Sequence, residues 1–335
     1  MQLSIIIVNY RSYQLITGCI RSVIAETQDL SYEIIVVDNH SQDESREVIL
    51  QVFPQVRWVQ MDNNAGFARA NNAGLRIAQG EHLLLLNPDT IVLDRALDRC
   101  VQRFRDTLGV AACGVQLLNE DGSPQITGAY FMKGGLNHLL PLPYWGRLLR
   151  SVAFAMKTKA PSVEAAGAAQ EVDWINGAFL MVKKATIQQA GLMDEDFFLY
   201  AEETEWCSRI MRVGKLVVYG DLHVIHLQGA TANATFAATG QGYYDLYSRK
   251  GLQLMVSNHL RVRKQYGVLW FLVLLLNYTF AVPVFFVCSF FDNLFHGRNP
   301  FKYWGQAAKF TGNMLRLWAL TPTIIRNRPH FYKVL

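Results

Sequence analysis

Four consecutive leucines, Leu83-Leu84-Leu85-Leu86, run straight into Asn87-Pro88-Asp89-Thr90, and few folds accommodate that order. An apolar run without polar alternation belongs to a strand covered on both faces, as at the centre of a parallel sheet. Pro88 has no N–H to give a ladder, so the strand must end at Asn87. Asp89 then stands at the carboxyl end of a central strand, where open α/β sheets bind their ligands. A hard carboxylate there suits Mg2+ or Mn2+, and such a cation suits a pyrophosphate. Asn, Pro and Asp are also turn formers, and the motif alone reads equally well as a turn followed by a helix cap.

The flanking sequence supports the sheet. Short apolar runs predict strands over residues 3–8, 33–37, 57–60, 83–86 and 110–115. Longer amphipathic stretches predict helices over residues 13–25, 44–52, 68–79 and 96–105. Strands alternating with helices imply right-handed crossovers and a mostly parallel sheet. From residue 119 to 170 the pattern dissolves into Gly, Pro, Ala and basic residues, read as an irregular insertion over the sheet. Order returns at residues 172–178, followed by strands over 179–182 and 215–219, the last leading to Val224-Ile225-His226.

With 335 residues the chain can hold one large domain, or one domain with a sizeable appendage. The net charge of +5 is modest and the basic residues are scattered until the last third, which excludes nucleic acid as a partner. Cys19, Cys100, Cys113, Cys207 and Cys288 show no paired spacing, so neither a zinc site nor a disulfide framework is expected. The N-terminus enters a strand at once, without a basic segment or cleavage site, and is read as lacking a signal peptide.

The tail differs. No charged residue lies between Lys264 and Asp292, and residues 268–291 are almost wholly apolar, long enough to cross a bilayer. Pro283 interrupts the run. Arg261, Arg263 and Lys264 precede it, and Arg298, Lys302, Lys309 and Arg316 follow. A single crossing would carry one basic cluster outside, against the positive-inside tendency. The expectation is a shallow hairpin or interfacial helices with both flanks cytoplasmic, with a buried helix or oligomer interface as the alternative.

Polar residues gather at the strand ends. Asp38 closes the second strand, where it can accept the imide N–H of uracil or thymine, with Asn9 beside it if the first two strands are neighbours. Ser41 and Asp43 are expected to cap the following helix. Asn64 and Gly66 make a tight turn at a helix start, where free N–H groups favour phosphate or ribose oxygens. Arg69 and Asn72, one turn apart, face the same way. Glu205 and Arg209 have the spacing of a helical ion pair. No Ser/His/Asp or Cys/His nucleophile arrangement is evident.

Together Ile5-Ile6-Ile7-Val8-Asn9-Tyr10, Val36-Val37-Asp38-Asn39, Asn64-Ala65-Gly66-Phe67-Ala68, Leu86-Asn87-Pro88-Asp89-Thr90, the segments 174–178 and 194–203, and His226 occur in an order that resembles family 2 glycosyltransferases of the GT-A fold. Within that family the chain looks most like rhamnosyltransferase-type enzymes of bacterial surface-polysaccharide synthesis. The resemblance covers residues 1 to about 230. It implies an α/β GT-A nucleotide-binding domain over 1–230, and the apolar tail adds a helical, membrane-associating region over 231–335. It implies that Asp38, with Asn9 and Asn39 nearby, reads the base, and that Asn64, Gly66, Asn72 and Asn87 line the nucleotide pocket. Asn87-Pro88-Asp89 replaces the usual Asp-x-Asp, leaving Asp89 as the metal ligand for Mn2+ or Mg2+, with His226 completing the site. Trp174, Asn176, Gly177 and Asp194 match the acceptor and sugar pocket. The catalytic base is matched by Glu203, where the family usually has Asp; Glu202 is the alternative, and two adjacent acids cannot share one helix face.

The implied reaction is direct, inverting displacement on a nucleotide-sugar donor. dTDP-rhamnose is the leading donor by resemblance and UDP-hexoses are the alternative. The implied acceptor is a hydroxyl of a lipid-linked or polysaccharide acceptor, with a polyprenyl-linked saccharide at the cytoplasmic face of the membrane favoured by the apolar tail, and the protein attached peripherally. A processive synthase lacks support, since no Gln-x-x-Arg-Trp motif is present. A nucleotidyltransferase would need a glycine-rich basic first loop, which Asn9-Tyr10-Arg11 is not. A non-catalytic nucleotide-sugar-binding scaffold has no use for a positioned base.

Overall fold

Alternating apolar and amphipathic segments give alternating strands and helices in the computed structural model, which describes residues 1–155, 161–227 and 246–334. The order begins β1 (Leu3–Asn9), α1 (Tyr13–Glu26), β2 (Tyr32–Asp38), α2 (Ser45–Val52), β3 (Arg57–Gln60) and α3 (Gly66–Ile77). It continues with β4 (His82–Leu86), β5 (Thr90–Val92), α4 (Ala96–Asp106) and β6 (Val110–Leu118). Next come β7 (Gly128–Ala129), a 3-10 turn (Lys133–Leu139), α5 (Trp145–Ala155), β8 (Ser162–Val163), β9 (Gln170–Val172) and β10 (Trp174–Ile175). Then follow β11 (Phe179–Lys183), α6 (Lys184–Ala190), α7 (Glu202–Ile210) and β12 (Lys215–His226). Three long helices close the chain: α8 (Arg249–Tyr266), α9 (Val268–Phe295) and α10 (Trp304–Arg326).

By its internal contacts the chain divides into two units. One comprises Met1–Tyr130, Ser162–Phe198 and Glu202–Thr235, the other Phe131–Pro161, Leu199–Ala201 and Phe236–Leu335. The boundary read at residue 230 lies outside the described residues.

The first unit is built on a mixed sheet in the order β3-β2-β1-β4-β11-β6-β12-β5, with β9 also paired to β12. β1, β2, β3, β4, β6 and β12 run parallel, while β11 and β5 run against them. The leucine run is the fully buried β4, between β1 and β11. Both faces are covered. Leu3, Ile5, Ile7, Leu84 and Leu86 share a core with Ile16, Ile20, Leu97 and Phe104 of α1 and α4. On the opposite face α3 lies so close that a Cβ at Gly74 would strike Ile6. That double burial is why these strands read as continuous apolar runs.

Two departures from the sequence reading have local causes. β12 does not stop at Tyr219: its pairing with β6 shifts between Tyr219 and His223, so Gly220-Asp221 is a bulge inside one strand rather than its end. The segment expected to be irregular holds the 3-10 turn and α5, and residues Phe131–Pro161 belong to the helical unit. Leu139 and Leu142 are buried there, an apolar pattern masked in the sequence by neighbouring Gly and Pro.

Within the second unit, α8 is buried along Gly251–Val262 and packs with α9, α10 and the 3-10 turn. Its polar groups find partners inside: Gln253 Nε2 donates to Tyr332 O (2.9 Å), and Arg261 Nη2 lies 2.8 Å from His138 Nε2. α9 continues through Pro283 as a single helix, so no hairpin forms there.

Candidate active site

Parallel order brings the carboxyl ends of β1, β2, β3, β4, β6 and β12 to one edge of the sheet, and Asn9, Asp38, Asn39, Asn87, Asp89 and His226 arrive there with them. Asn9, Asp38 and Gln60 lie side by side, in register, at the ends of β1, β2 and β3. Asp38 is 3% exposed and its carboxylate is fully engaged. Oδ1 accepts from Asn9 Nδ2 (2.8 Å) and the Ser41 hydroxyl, and Oδ2 from Ser41 N (3.0 Å) and Gln60 Nε2 (2.7 Å). Ser41 therefore does not cap α2; its hydroxyl is committed to Asp38, while Asp43 Oδ1 accepts from Ser45 N (3.0 Å).

Asn39 continues this cluster. Its Nδ2 donates to Asn64 Oδ1 (3.0 Å) and its Oδ1 accepts from Ala65 N (2.9 Å). This fixes the loop that opens α3. Gly66, at φ +80°, is required there: a Cβ would collide with the Phe198 carbonyl, which accepts from Phe67 N. Asn72 is fully buried further along α3, and its amide binds the Met193 backbone and the Glu195 carboxylate. It donates to Met193 O (2.9 Å) and Glu195 Oε1 (3.0 Å) and accepts from Met193 N (3.1 Å). Arg69 Nε donates to Glu195 O (3.0 Å), so this pair does face one way, bracing the Met193–Glu195 loop. Against the raising effect of burial, the Asn72 amide and Arg76 guanidinium hold the Glu195 carboxyl below its ordinary value. Asp194 shapes the same loop, its Oδ1 accepting from Asp196 N (2.9 Å).

At the end of β4, Asp89 is 4% exposed and Asp89 Oδ1 lies 3.4 Å from His226 Nε2. Asn87 Nδ2 is also 3.4 Å from that nitrogen. β5 and β12 create the meeting by pairing Thr90 with His226. Gln125 Nε2 donates to two oxygens, His226 O (2.6 Å) and Asn119 Oδ1 (2.8 Å). Its Oε1 must then accept, and the donor is His226 Nδ1 at 3.0 Å. With Nδ1 so engaged, Nε2 is the ring nitrogen that faces Asp89. A carboxylate oxygen and an imidazole nitrogen so arranged fit Mn2+ or Mg2+ with the remaining ligands coming from substrate oxygens. Among the described residues no cluster of three or more His, Cys, Asp or Glu forms a self-sufficient metal site. Gln125→Leu is expected to weaken Mn2+ binding by about 10–100-fold, the usual effect of losing such a support. Calorimetric titration of Mn2+ in the presence of a nucleoside diphosphate checks this, and an unchanged affinity removes Gln125 from the role.

The antiparallel β11 returns to the same edge. Asn176 Oδ1 accepts from Ala178 N (2.9 Å), and Asn87 N donates to Ala178 O (3.0 Å), which ties the Asn176-Gly177-Ala178 loop to the end of β4. Trp174 sits in β10, half-buried, with its indole N–H buried and without a hydrogen-bond partner among the described residues. Glu202 and Glu203 open α7. Glu202 is 3% exposed, whereas Glu203 is half-buried and its Cβ–Cγ stem lies against Gly177, 3.5–3.6 Å from where a Cβ there would stand. The two preceding residues, Tyr200 and Ala201, both have positive φ (+73° and +65°), a strained entry of the kind found at functional sites. Cys207 is no competing nucleophile: burial, reinforced by the Glu203 and Glu205 carboxylates, pushes its thiol up to about 12. Glu205 does pair with Arg209 (2.8 Å).

Gln60 and Gln125 escaped the sequence reading, and Ser41 entered it only as a helix cap. Gln60 had a signal, since it ends the strand next to Asp38. Gln125 had none, lying in a stretch without periodicity.

Residues 4–162 match the family described as glycosyl transferase family 2. The chain is 26% identical over 257 residues to the low-salt glycan biosynthesis hexosyltransferase Agl10 of Haloferax volcanii, covering 74% of each protein. It is 25% identical over 202 residues to the N-acetylglucosaminyl-diphospho-decaprenol L-rhamnosyltransferase of Mycobacterium tuberculosis, covering 56% of this chain and 63% of that one. Among solved structures, it is similar to the mannosyltransferase PcManGT of Pyrobaculum calidifontis in complex with GDP-Man and Mn2+. That likeness has a TM-score of 0.53 at 14% identity, over 96% of this chain and 87% of the other. At that identity it shows a shared GT-A fold.

Proposed function

We propose, for a chain whose residues 4–162 belong to glycosyl transferase family 2 and which is thus a glycosyltransferase, that it moves rhamnose from dTDP-rhamnose to a hydroxyl of a polyprenyl-linked saccharide. The observation that carries this reading is the gathering of Asp38, Asp89 with His226, and Glu203 within one unit, with the first three at the carboxyl edge of a single sheet. A pyrimidine base meets Asp38, the diphosphate meets Asp89 and His226, and the acceptor meets Glu203. Of the four donors to Asp38, Gln60 is the exposed one, and it is the one an imide N–H replaces.

Glu203 takes the proton of the acceptor hydroxyl as that oxygen attacks the anomeric carbon. The bond to the diphosphate breaks on the opposite face, so the configuration inverts. Asp89 and His226 would hold a divalent cation, which would supply charge neutralisation at the departing diphosphate. Trp174 and the Asn176–Ala178 loop bound the place where the sugar and acceptor meet.

The rhamnose and lipid-linked assignments are supported by the mycobacterial relative, whose name states both, and the helical unit fits attachment at the cytoplasmic face of the membrane. Thermal-shift binding with dTDP-, UDP- and GDP-sugars, each with and without Mn2+, tests the donor. A ligand at a hundred times its Kd stabilises by about 2.7 kcal/mol. The expected result is a Mn2+-dependent shift with dTDP-rhamnose. A shift with a UDP-hexose instead reassigns the donor, and no shift with any removes the reading.

A further inference from the structure

The helical unit presents an apolar stripe with one charge sign around it. α9 is 28 residues, about 42 Å long at the usual helical rise. Its exposed side chains are not scattered. Leu269, Val273, Leu276, Phe280, Val287 and Phe291 are each 40–78% exposed and fall on one line, three, four or seven residues apart. The opposite face, with Phe271, Tyr278 and Phe285, is buried. α10 widens the stripe: Trp318 Nε1 donates to Thr279 Oγ1 of α9 (3.0 Å), and the Trp304 ring packs edge-on to Phe286 at 5.4 Å. Trp304, Leu315 and Trp318 are themselves 39–66% exposed.

The charge around this surface is one-sided. Among the described residues, 246–334 hold twelve Lys and Arg against one acid, Asp292, and 131–155 add Lys133, Arg147 and Arg150 with no acid. Lys309 and Arg316, two turns apart on α10, are exposed.

We propose that α9 and α10 lie in the plane of an anionic lipid surface, the stripe sunk among acyl chains and the cations at the headgroups. An apolar face bordered by Trp and by Lys or Arg is the pattern of a helix at that depth. Pairing with a second copy brings two strongly basic units together, which disfavours it. Crossing the bilayer is opposed by the buried face of α9, which packs on an α8 whose buried residues include Gln253, His259 and Arg261. This deepens the membrane attachment proposed above and rests on it. It makes no use of sugar transfer, so the two can fail separately.

The test is flotation of the full chain with phosphatidylcholine vesicles, with and without phosphatidylglycerol. Binding is expected only with the anionic lipid and is expected to weaken in high salt. Leu276→Glu with Phe280→Glu, both at exposed positions, is expected to cut binding by about tenfold or more while far-UV circular dichroism stays unchanged. Lys264→Cys and Arg298→Cys, at the two ends of α9 and made in a Cys288→Ser background, are both expected to react with an impermeant maleimide added outside. Absence of flotation overturns the proposal. Equal binding to both vesicle types overturns the anionic assignment, and protection of Arg298→Cys alone shows a crossing helix. A dimer in sedimentation that the glutamates dissociate, without vesicle binding, assigns the stripe to a second copy.

Discussion

Glu203→Gln is expected to lower the turnover of sugar transfer by about two to four orders of magnitude, the usual worth of a positioned general base, while leaving donor affinity close to that of the native protein. The amide keeps the shape of the carboxylate and loses only its basicity. Position selects Glu203 over its neighbour. Consecutive helical residues point about 100° apart, so the two acids opening α7 cannot serve one hydroxyl. Glu202 is turned inward, at 3% exposure, while Glu203 is half-buried and rests on Gly177, in the loop tied to the end of β4. Steady-state kinetics with saturating acceptor checks the prediction, and near-native turnover takes the role from Glu203.

Asp89→Ala is expected to act on the other side of the reaction, by abolishing the Mn2+-dependent part of donor binding. Among the described residues Asp89 is the carboxylate beside His226 Nε2, so its loss leaves a single imidazole and the substrate's own oxygens to hold a divalent ion. A loss of about 100-fold or more in donor affinity with Mn2+ present is expected, and little change without it. Calorimetry with and without the metal separates the two. An unchanged Mn2+-dependent affinity contradicts the assignment.

How much of this was legible in the sequence depended on distance along the chain. The leucine run, the alternation of strands and helices and the polar strand ends are local signals, and β1 to β4 and β6 follow from them. Asn9 beside Asp38 followed as well, because adjacent parallel strands ending in polar residues bring those ends together. The Gly66 turn was visible as a turn, although the reason for glycine, the Phe198 carbonyl, comes from a distant segment. Gln125 was invisible because its partners are His226 and Asn119, brought together by the pairing of β6 with β12 and not by any repeat. Asn72 had the spacing of a ligand-facing residue but is spent on the Met193 backbone, a choice made by the loop it braces. Ser41 read as a helix cap and is instead bound to Asp38, since a buried carboxylate competes successfully for a nearby hydroxyl.

The most direct test of the central claim is a paired measurement on the native protein, Asp89→Ala and Glu203→Gln: Mn2+-dependent dTDP-rhamnose binding and transfer turnover, each under the same conditions. Asp89→Ala losing binding while Glu203→Gln keeps binding and loses turnover is the predicted result. Both variants behaving alike, or either matching the native protein in both measurements, would contradict a site divided between a metal-held donor and a single carboxylate base.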